Sequence, residues 1–219
     1  MTTIYLIRHT EVAVGKSVCY GGTDVELADN YAAQALGLVR HLPDKAPDVV
    51  FSSPLSRCRQ LAEDLVFSGF STSEERLEVA GKRRLTGSAT ESPISFKLDD
   101  RLREYHFGDW EMQPWSAIPR EELDAWMVDF VNLAPHYGDS FQEVYDRVSA
   151  FWRDEVLPLA DAEQPKTVYI VSHGGVIRAL LCLILELPLQ NAYRLHLDYG
   201  AVSKLAVQNG TYTVAYINR

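Results

Sequence analysis

The chain is poor in cysteine: Cys19, Cys58 and Cys182 are scattered along 219 residues. They form no disulfide framework, and their odd number fits a reducing cytoplasm, where the protein is expected to reside. No CxxC or HExxH spacing gathers metal ligands, so neither a metal nor another cofactor is expected. No apolar run reaches the roughly 20 residues of a membrane helix. The nearest, residues 176–189, is shorter and carries Arg178 and Glu186. The first residues lack a basic segment leading into an apolar core, so no signal peptide is read there. Positive charge is also scarce, with 21 basic against 30 acidic side chains and a net charge of −9. That balance argues against nucleic acid and acidic membranes as partners, since both select a basic face. Any bound anion must be held by a local cluster of positive groups.

Several catalytic signatures are missing as well. A cysteine phosphatase loop needs Arg six positions after Cys, but Val25, Asp64 and Pro188 stand there. No GxxxxGK[ST], GxSxG or GxGxxG segment occurs, which removes the usual marks of NTPases, serine hydrolases and dinucleotide enzymes.

What is present is an ordinary soluble composition, 47% hydrophobic and 23% charged, which can build a core and is read as one domain over residues 1–219. Short apolar, β-branched runs at residues 4–7, 49–51 and 167–171 predict buried strands. Helices are predicted over residues 30–42, 55–67 and from Gly174 to about Leu187. Asn209-Gly210 between two alternating runs predicts a hairpin. Strand, loop and helix in repetition imply a three-layer α/β/α sandwich with a mostly parallel sheet. Two stretches interrupt it. Residues 68–97, rich in Ser, Thr and Glu, are expected to be a surface insertion, and residues 110–135 a small helical cap.

Polar residues follow each strand: Arg8-His9-Thr10, then Ser52-Ser53-Pro54 with Arg57, then Ser172-His173-Gly174-Gly175. The carboxyl ends of parallel strands converge on one crevice, so two histidines and two arginines should meet there. Guanidinium forks match phosphate oxygens, and a glycine pair at a helix N-terminus lets backbone N–H groups approach an anion. Taken alone, His9 would be a satisfied strand-end histidine, and Glu104, among Asp99, Asp100, Arg101 and Arg103, part of a solvated face. His106, His136 and His196 are read as structural or surface residues, and the aromatics of residues 105–137 mainly as cap core.

In this order the pieces resemble the histidine phosphatase, or phosphoglycerate mutase-like, superfamily. The matching segments are Leu6-Ile7-Arg8-His9-Thr10-Glu11, Ser52-Ser53-Pro54-Leu55-Ser56-Arg57, the run from Leu102 to Glu111, and Val171-Ser172-His173-Gly174-Gly175. The loop from Cys19 to Val25 looks like that of bacterial α-ribazole phosphatases, while Gly15, Ala28, Tyr31, Leu61 and Met112 depart from common family residues.

The resemblance implies a metal-independent phosphomonoesterase working through a phosphohistidine. His9 would be the nucleophile, Glu104 the acid and base, and Arg8, Arg57 and His173 the charge-neutralising groups. Substrate contacts would come from Arg8, Thr10, Tyr20, Gly21, Thr23, Arg57, Glu104, His173 and Gly174. The partner would be a small phosphate monoester, foremost α-ribazole 5′-phosphate of cobalamin biosynthesis, its flat ring lined by Tyr20, Trp110 and Tyr105. A sugar-phosphate phosphatase, a phosphoglycerate mutase and a non-catalytic phospho-ligand binder stay open, as does homodimerisation.

Overall fold

The structure, a computed structural model, describes residues 1–68 and 94–219. Its centre is a six-stranded mixed sheet of β1 (Thr2–Arg8), β3 (Val49–Ser52), β4 (Ser95–Leu98), β6 (Thr167–Ser172), β7 (Val202–Gln208) and β8 (Thr211–Tyr216). The strand order is β4-β3-β6-β1-β7-β8. The first four of these run parallel, and β7 and β8 are antiparallel. A separate short ladder pairs β2 (Val18–Cys19) with β5 (Gln113–Pro114). The helices are α1 (Tyr31–Val39), α2 (Ser56–Glu63), α3 (Arg120–Val128), α4 (Phe141–Phe151) and α5 (Gly174–Leu185).

The two faces of the sheet follow from the period of two along each strand. Ile4 and Leu6 of β1 and Val168 and Ile170 of β6 pack with Phe141, Val144, Val148, Ile177 and Leu180 of α4 and α5. Tyr5, Ile7, Tyr169 and Val171 face the other way, onto Ala35, Leu38, Cys58 and Leu61 of α1 and α2. Strands covered on both faces must be apolar at nearly every position, which is why β1 and β6 read as continuous runs. The result is the expected three-layer sandwich. Among the described residues, no helix is long and apolar enough to cross a membrane.

Element ends differ from the sequence expectation for local reasons. α1 stops at Val39 because His41 and Leu42 bond back to the carbonyls of Leu38 and Val39, tightening the turn. α2 gives way after Glu63 to a π turn over Asp64–Ser68. α5 ends at Leu185, where Glu186 adopts φ 53 and Leu187 N–H bonds to the Cys182 carbonyl. Asn209 and Gly210 both take positive φ, 49 and 72, as a primed hairpin turn requires.

The larger correction concerns residues 68–97. Residues 69–93 lie outside the described residues, but β4 is no insertion: it adds a parallel edge strand to β3, with Val49 opposite Ser95 and Ser52 opposite Leu98. Its pattern hid it. An edge strand of four residues buries little beyond Phe96, and Lys97 faces outward as edge strands often require.

The expected cap at residues 110–135 comprises β5, a 3₁₀ turn at Trp115–Ala117 and α3. Pairing of β5 with β2 ties it to the loop that begins at Cys19. Trp126 is at its centre, with ring contacts to Tyr105, Phe107, Trp110 and Phe130 and its indole N–H donating to Tyr105 Oη at 3.1 Å.

Candidate active site

Because β3, β6 and β1 are adjacent and parallel, their carboxyl ends deliver Ser53, His173 and His9 side by side. The backbone locks them together: His9 N–H bonds to Ser172 O and Ser53 N–H to Val171 O, each at 3.0 Å. The His9 and His173 rings stand 5.1 Å apart between centroids. Both residues are almost wholly buried, and so is Arg57, at 0% exposure.

The hydrogen bonds define each ring's tautomer. His9 Nδ1–H donates to the Thr10 carbonyl at 2.7 Å, which leaves Nε2 with a lone pair and no partner among the described residues. Arg57 Nε–H donates to His173 Nδ1 at 3.3 Å, so His173 carries its proton on Nε2 and gives it to Ser53 Oγ at 2.8 Å. Burial is the first cause that holds both imidazoles well below their ordinary pKa, and Arg57 is the second. Arg8 adds to this at both rings, while the Thr10 carbonyl pulls His9 the other way. Two neutral histidines therefore sit among fixed positive charges.

Arg8 packs its guanidinium 4.0 Å from the Tyr199 ring centre and donates through Nη1 to Leu197 O at 2.6 Å. Arg57 uses Nη1 and Nη2 on the carbonyls of Thr23 and Gly21, at 2.8 and 2.7 Å. Among the described residues, Arg8 Nε, His9 Nε2 and Thr10 Oγ1 are buried without a hydrogen-bond partner. Unpartnered buried polar atoms are rare in folded proteins, and three adjoining ones in a positive setting suit an anion.

Glu104 accepts hydrogen bonds from Tyr105 N at 3.0 Å and from Gly175 N at 3.2 Å. The amide at the start of α5, reserved for an anion in the sequence reading, is thus held by Glu104. A Cβ at Gly175 would lie 2.6 Å from Glu104 Oε1, so any larger residue would push that carboxylate aside. Gly174 is packed between two guanidiniums, its would-be Cβ 3.0 Å from Arg178 Nη1 and 3.3 Å from Arg8 Nε. Arg147 braces the segment from behind, donating to the carbonyls of Arg101, Arg103 and Glu104.

A cleft of about 320 Å³ opens beside this centre. Arg8, Glu104, Tyr20 and Gly21 line it, as the sequence led one to expect, but so do Lys16, Phe107, Trp115, His196, Leu197 and Tyr199. Tyr20 and Tyr199 join their hydroxyls at 2.8 Å, with ring centres 6.5 and 5.5 Å from His9.

Three expectations are corrected here. Trp110 is buried with its indole N–H on Glu122, and Tyr105 is core, so the aromatic walls are Tyr20, Phe107, Trp115 and Tyr199 instead. His196, read as a structural or surface residue, is exposed at the surface and also lines the cleft. The Thr23 hydroxyl points to Glu111, away from the cleft. Gly174 does not line the cleft, and neither do His9, Thr10, Arg57 and His173, which were expected at the substrate phosphate. Among the described residues, no three His, Cys, Asp or Glu groups cluster as a metal site would need.

This fold and strand-end cluster match the sequence profile of the histidine phosphatase superfamily (branch 1) over residues 4–74 and 84–219, and the chain belongs to that family. It shares 30% identity over 197 residues with the glucosyl-3-phosphoglycerate phosphatase of Mycolicibacterium vanbaalenii, covering 86% of this chain and 76% of that one. With the adenosylcobalamin/α-ribazole phosphatase of Salmonella typhimurium it shares 27% over 222 residues, or 98% and 95% of the two chains. The crystal structure of the α-ribazole phosphatase from Shigella flexneri superposes with a TM-score of 0.76 at 25% identity, covering 100% of this chain and 96% of that one. The protein is a phosphatase with a phosphoglycerate mutase-like fold.

Proposed function

We propose that the protein hydrolyses a small phosphate monoester through a phosphoryl group carried on His9, and that α-ribazole 5′-phosphate is its substrate. The observation that carries the mechanism is the His9 ring: Nδ1–H anchored on Thr10 O, Nε2 bare, neutral, and flanked by arginines. A neutral imidazole with one nitrogen held and the other free is a nucleophile at neutral pH.

In the first step the Nε2 lone pair attacks phosphorus, the P–O ester bond breaks, and the leaving alkoxide takes a proton from the Glu104 carboxyl. Arg8, Arg57 and the second histidine offset charge on the phosphoryl oxygens, the chief demand of phosphoryl transfer. In the second step the Glu104 carboxylate takes a proton from water, whose oxygen attacks phosphorus and breaks the P–N bond. Inorganic phosphate leaves, and His9 and Glu104 regain their starting states. The arginines supply the positive charge, so the proposal needs no divalent ion.

The substrate reading rests on the cleft. Its volume suits a nucleoside-sized ligand, and Tyr20, Phe107, Trp115 and Tyr199 give flat apolar walls for a benzimidazole. Resemblance to the Salmonella and Shigella α-ribazole phosphatases supports the same reading. A sugar-phosphate reading is favoured by Lys16 on the cleft wall, which could meet a carboxylate such as that of glucosyl-3-phosphoglycerate, whereas His196 there is paired with Asp198 at 3.0 Å.

Steady-state kinetics separates the two. Contacts to a remote ring should raise kcat/KM for α-ribazole 5′-phosphate at least ~100-fold over ribose 5-phosphate, about 2.7 kcal/mol of transition-state binding. Tyr20→Ala should erode that preference and spare p-nitrophenyl phosphate. A flat profile, or a preference for glucosyl-3-phosphoglycerate, removes the α-ribazole assignment. Interconversion of 2- and 3-phosphoglycerate would make the protein a mutase.

A further inference from the structure

The Glu111 side chain is only 9% exposed, and the proposed phosphoryl transfer assigns it no part. Burying a carboxylate is costly unless its oxygens are satisfied. Here they are: Oε1 accepts from Gly22 N at 2.7 Å and Phe107 N at 2.9 Å, and Oε2 accepts from the Thr23 hydroxyl. The bonds to Gly22 and Thr23 cross 89 and 88 residues of sequence and fasten the loop at 21–23 to the cap side of the site.

The same loop is held from its other side by Arg57. Gly21 O accepts from Nη2 and Thr23 O from Nη1, at 2.7 and 2.8 Å. The Gly21 carbonyl and the Gly22 N–H belong to one peptide unit. That unit therefore stands with its N–H on a carboxylate and its C=O on a guanidinium, and each bond polarises the other. Gly21 permits this stacking at φ 40, since a Cβ would lie 2.5 Å from Glu111 Oε1. Arg57, so oriented, keeps its Nε–H on His173 Nδ1.

We infer that Glu111 is a positioning residue: through the Gly21–Gly22 peptide and Thr23 it sets the orientation of Arg57, and through Arg57 the tautomer of His173. The inference rests on the proposed role of Arg57 in phosphoryl transfer. Hydrogen-bond acceptance, and not net charge at Glu111, is what the geometry demands. A glutamine could keep both amide bonds through its Oε1 and turn its NH₂ to the Thr23 oxygen.

The test is a double-mutant cycle on p-nitrophenyl phosphate with wild type, Glu111→Ala, Arg57→Ala and the double variant. Misplacing a catalytic charge should make Glu111→Ala lose ~10–100-fold in kcat. In the Arg57→Ala background the same change should cost no more than ~3-fold, because coupled residues are not additive. Glu111→Gln should recover to within ~5-fold of wild type, since it retains the acceptors. Full multiplication of the two losses overturns the inference, and so does a Glu111→Gln variant as poor as Glu111→Ala. If Glu111→Ala does not fold, Thr23→Val carries the cycle, with a loss expected only where Arg57 is present and an equal loss in both backgrounds contradicting it. An Arg57→Ala variant as active as wild type would instead remove the proposed role of Arg57 itself.

Discussion

His9 and His173, 5.1 Å apart, hold their protons on opposite nitrogens: Nδ1 in His9, bound to the Thr10 carbonyl, and Nε2 in His173, bound to Ser53 Oγ. The Thr10 carbonyl fixes the first tautomer and Arg57 the second by donating to His173 Nδ1, while burial first and Arg57 second disfavour a further proton on either ring. Imidazole ¹⁵N spectra should show both rings neutral at pH 6, with these tautomers. Because their native pKa values lie well below 6.5, mainly through burial, the unfolded state binds more protons as pH falls from 6.5 toward those values. The stability linked to these rings is therefore complete above pH 6.5 and lost progressively below it. Denaturant midpoints should fall over that range, and less steeply in His9→Ala. An acid-insensitive wild type, or cationic rings at pH 6, would contradict this description.

Arg57 is buried at 0% exposure and fixed by bonds from Nε, Nη1 and Nη2, so its removal takes away a preorganised charge. Arg57→Ala should cost ~10²–10³ in kcat, in line with loss of one such donor. Excess EDTA should leave the wild-type rate unchanged. Abolition by EDTA with recovery on added Mg²⁺ or Zn²⁺ would mean that a metal does the work assigned to the arginines.

Glu104 and Gly175 form a second testable pair. Glu104→Gln should slow alkyl phosphates far more than p-nitrophenyl phosphate, whose phenolate departs without a proton. Gly175→Ala should reproduce that signature, because its Cβ would displace the Glu104 carboxylate that it overlaps at 2.6 Å. Equal losses on both substrate types would make Glu104 a binding or structural residue.

The sheet centre was readable because β1, β3 and β6 are buried on both faces and therefore apolar over most of their length, with His9, Ser53 and His173 directly after them. β4 was not, because an edge strand with one half-buried aromatic carries no such run. The cleft wall shows a similar limit. Trp110 and Trp115 are five residues apart in irregular backbone, where no periodicity tells which ring turns inward. Tyr199 reaches Arg8 from a turn before β7 that no local motif marks. Glu111 lies within the run that ends the third matching segment, yet its bonds to Gly22 and Thr23 depend on chain pairing about 89 residues distant, which sequence spacing does not display.

The central claim is that His9 Nε2 carries the phosphoryl group. Rapid acid-free quench during turnover, followed by mass spectrometry of the digested protein, tests it directly. The account predicts an acid-labile phosphate on the peptide containing His9, absent from His9→Ala, which should fold and turn over no substrate. A His9→Ala variant that keeps more than a few per cent of wild-type activity, or a phosphate found on another residue, would contradict it.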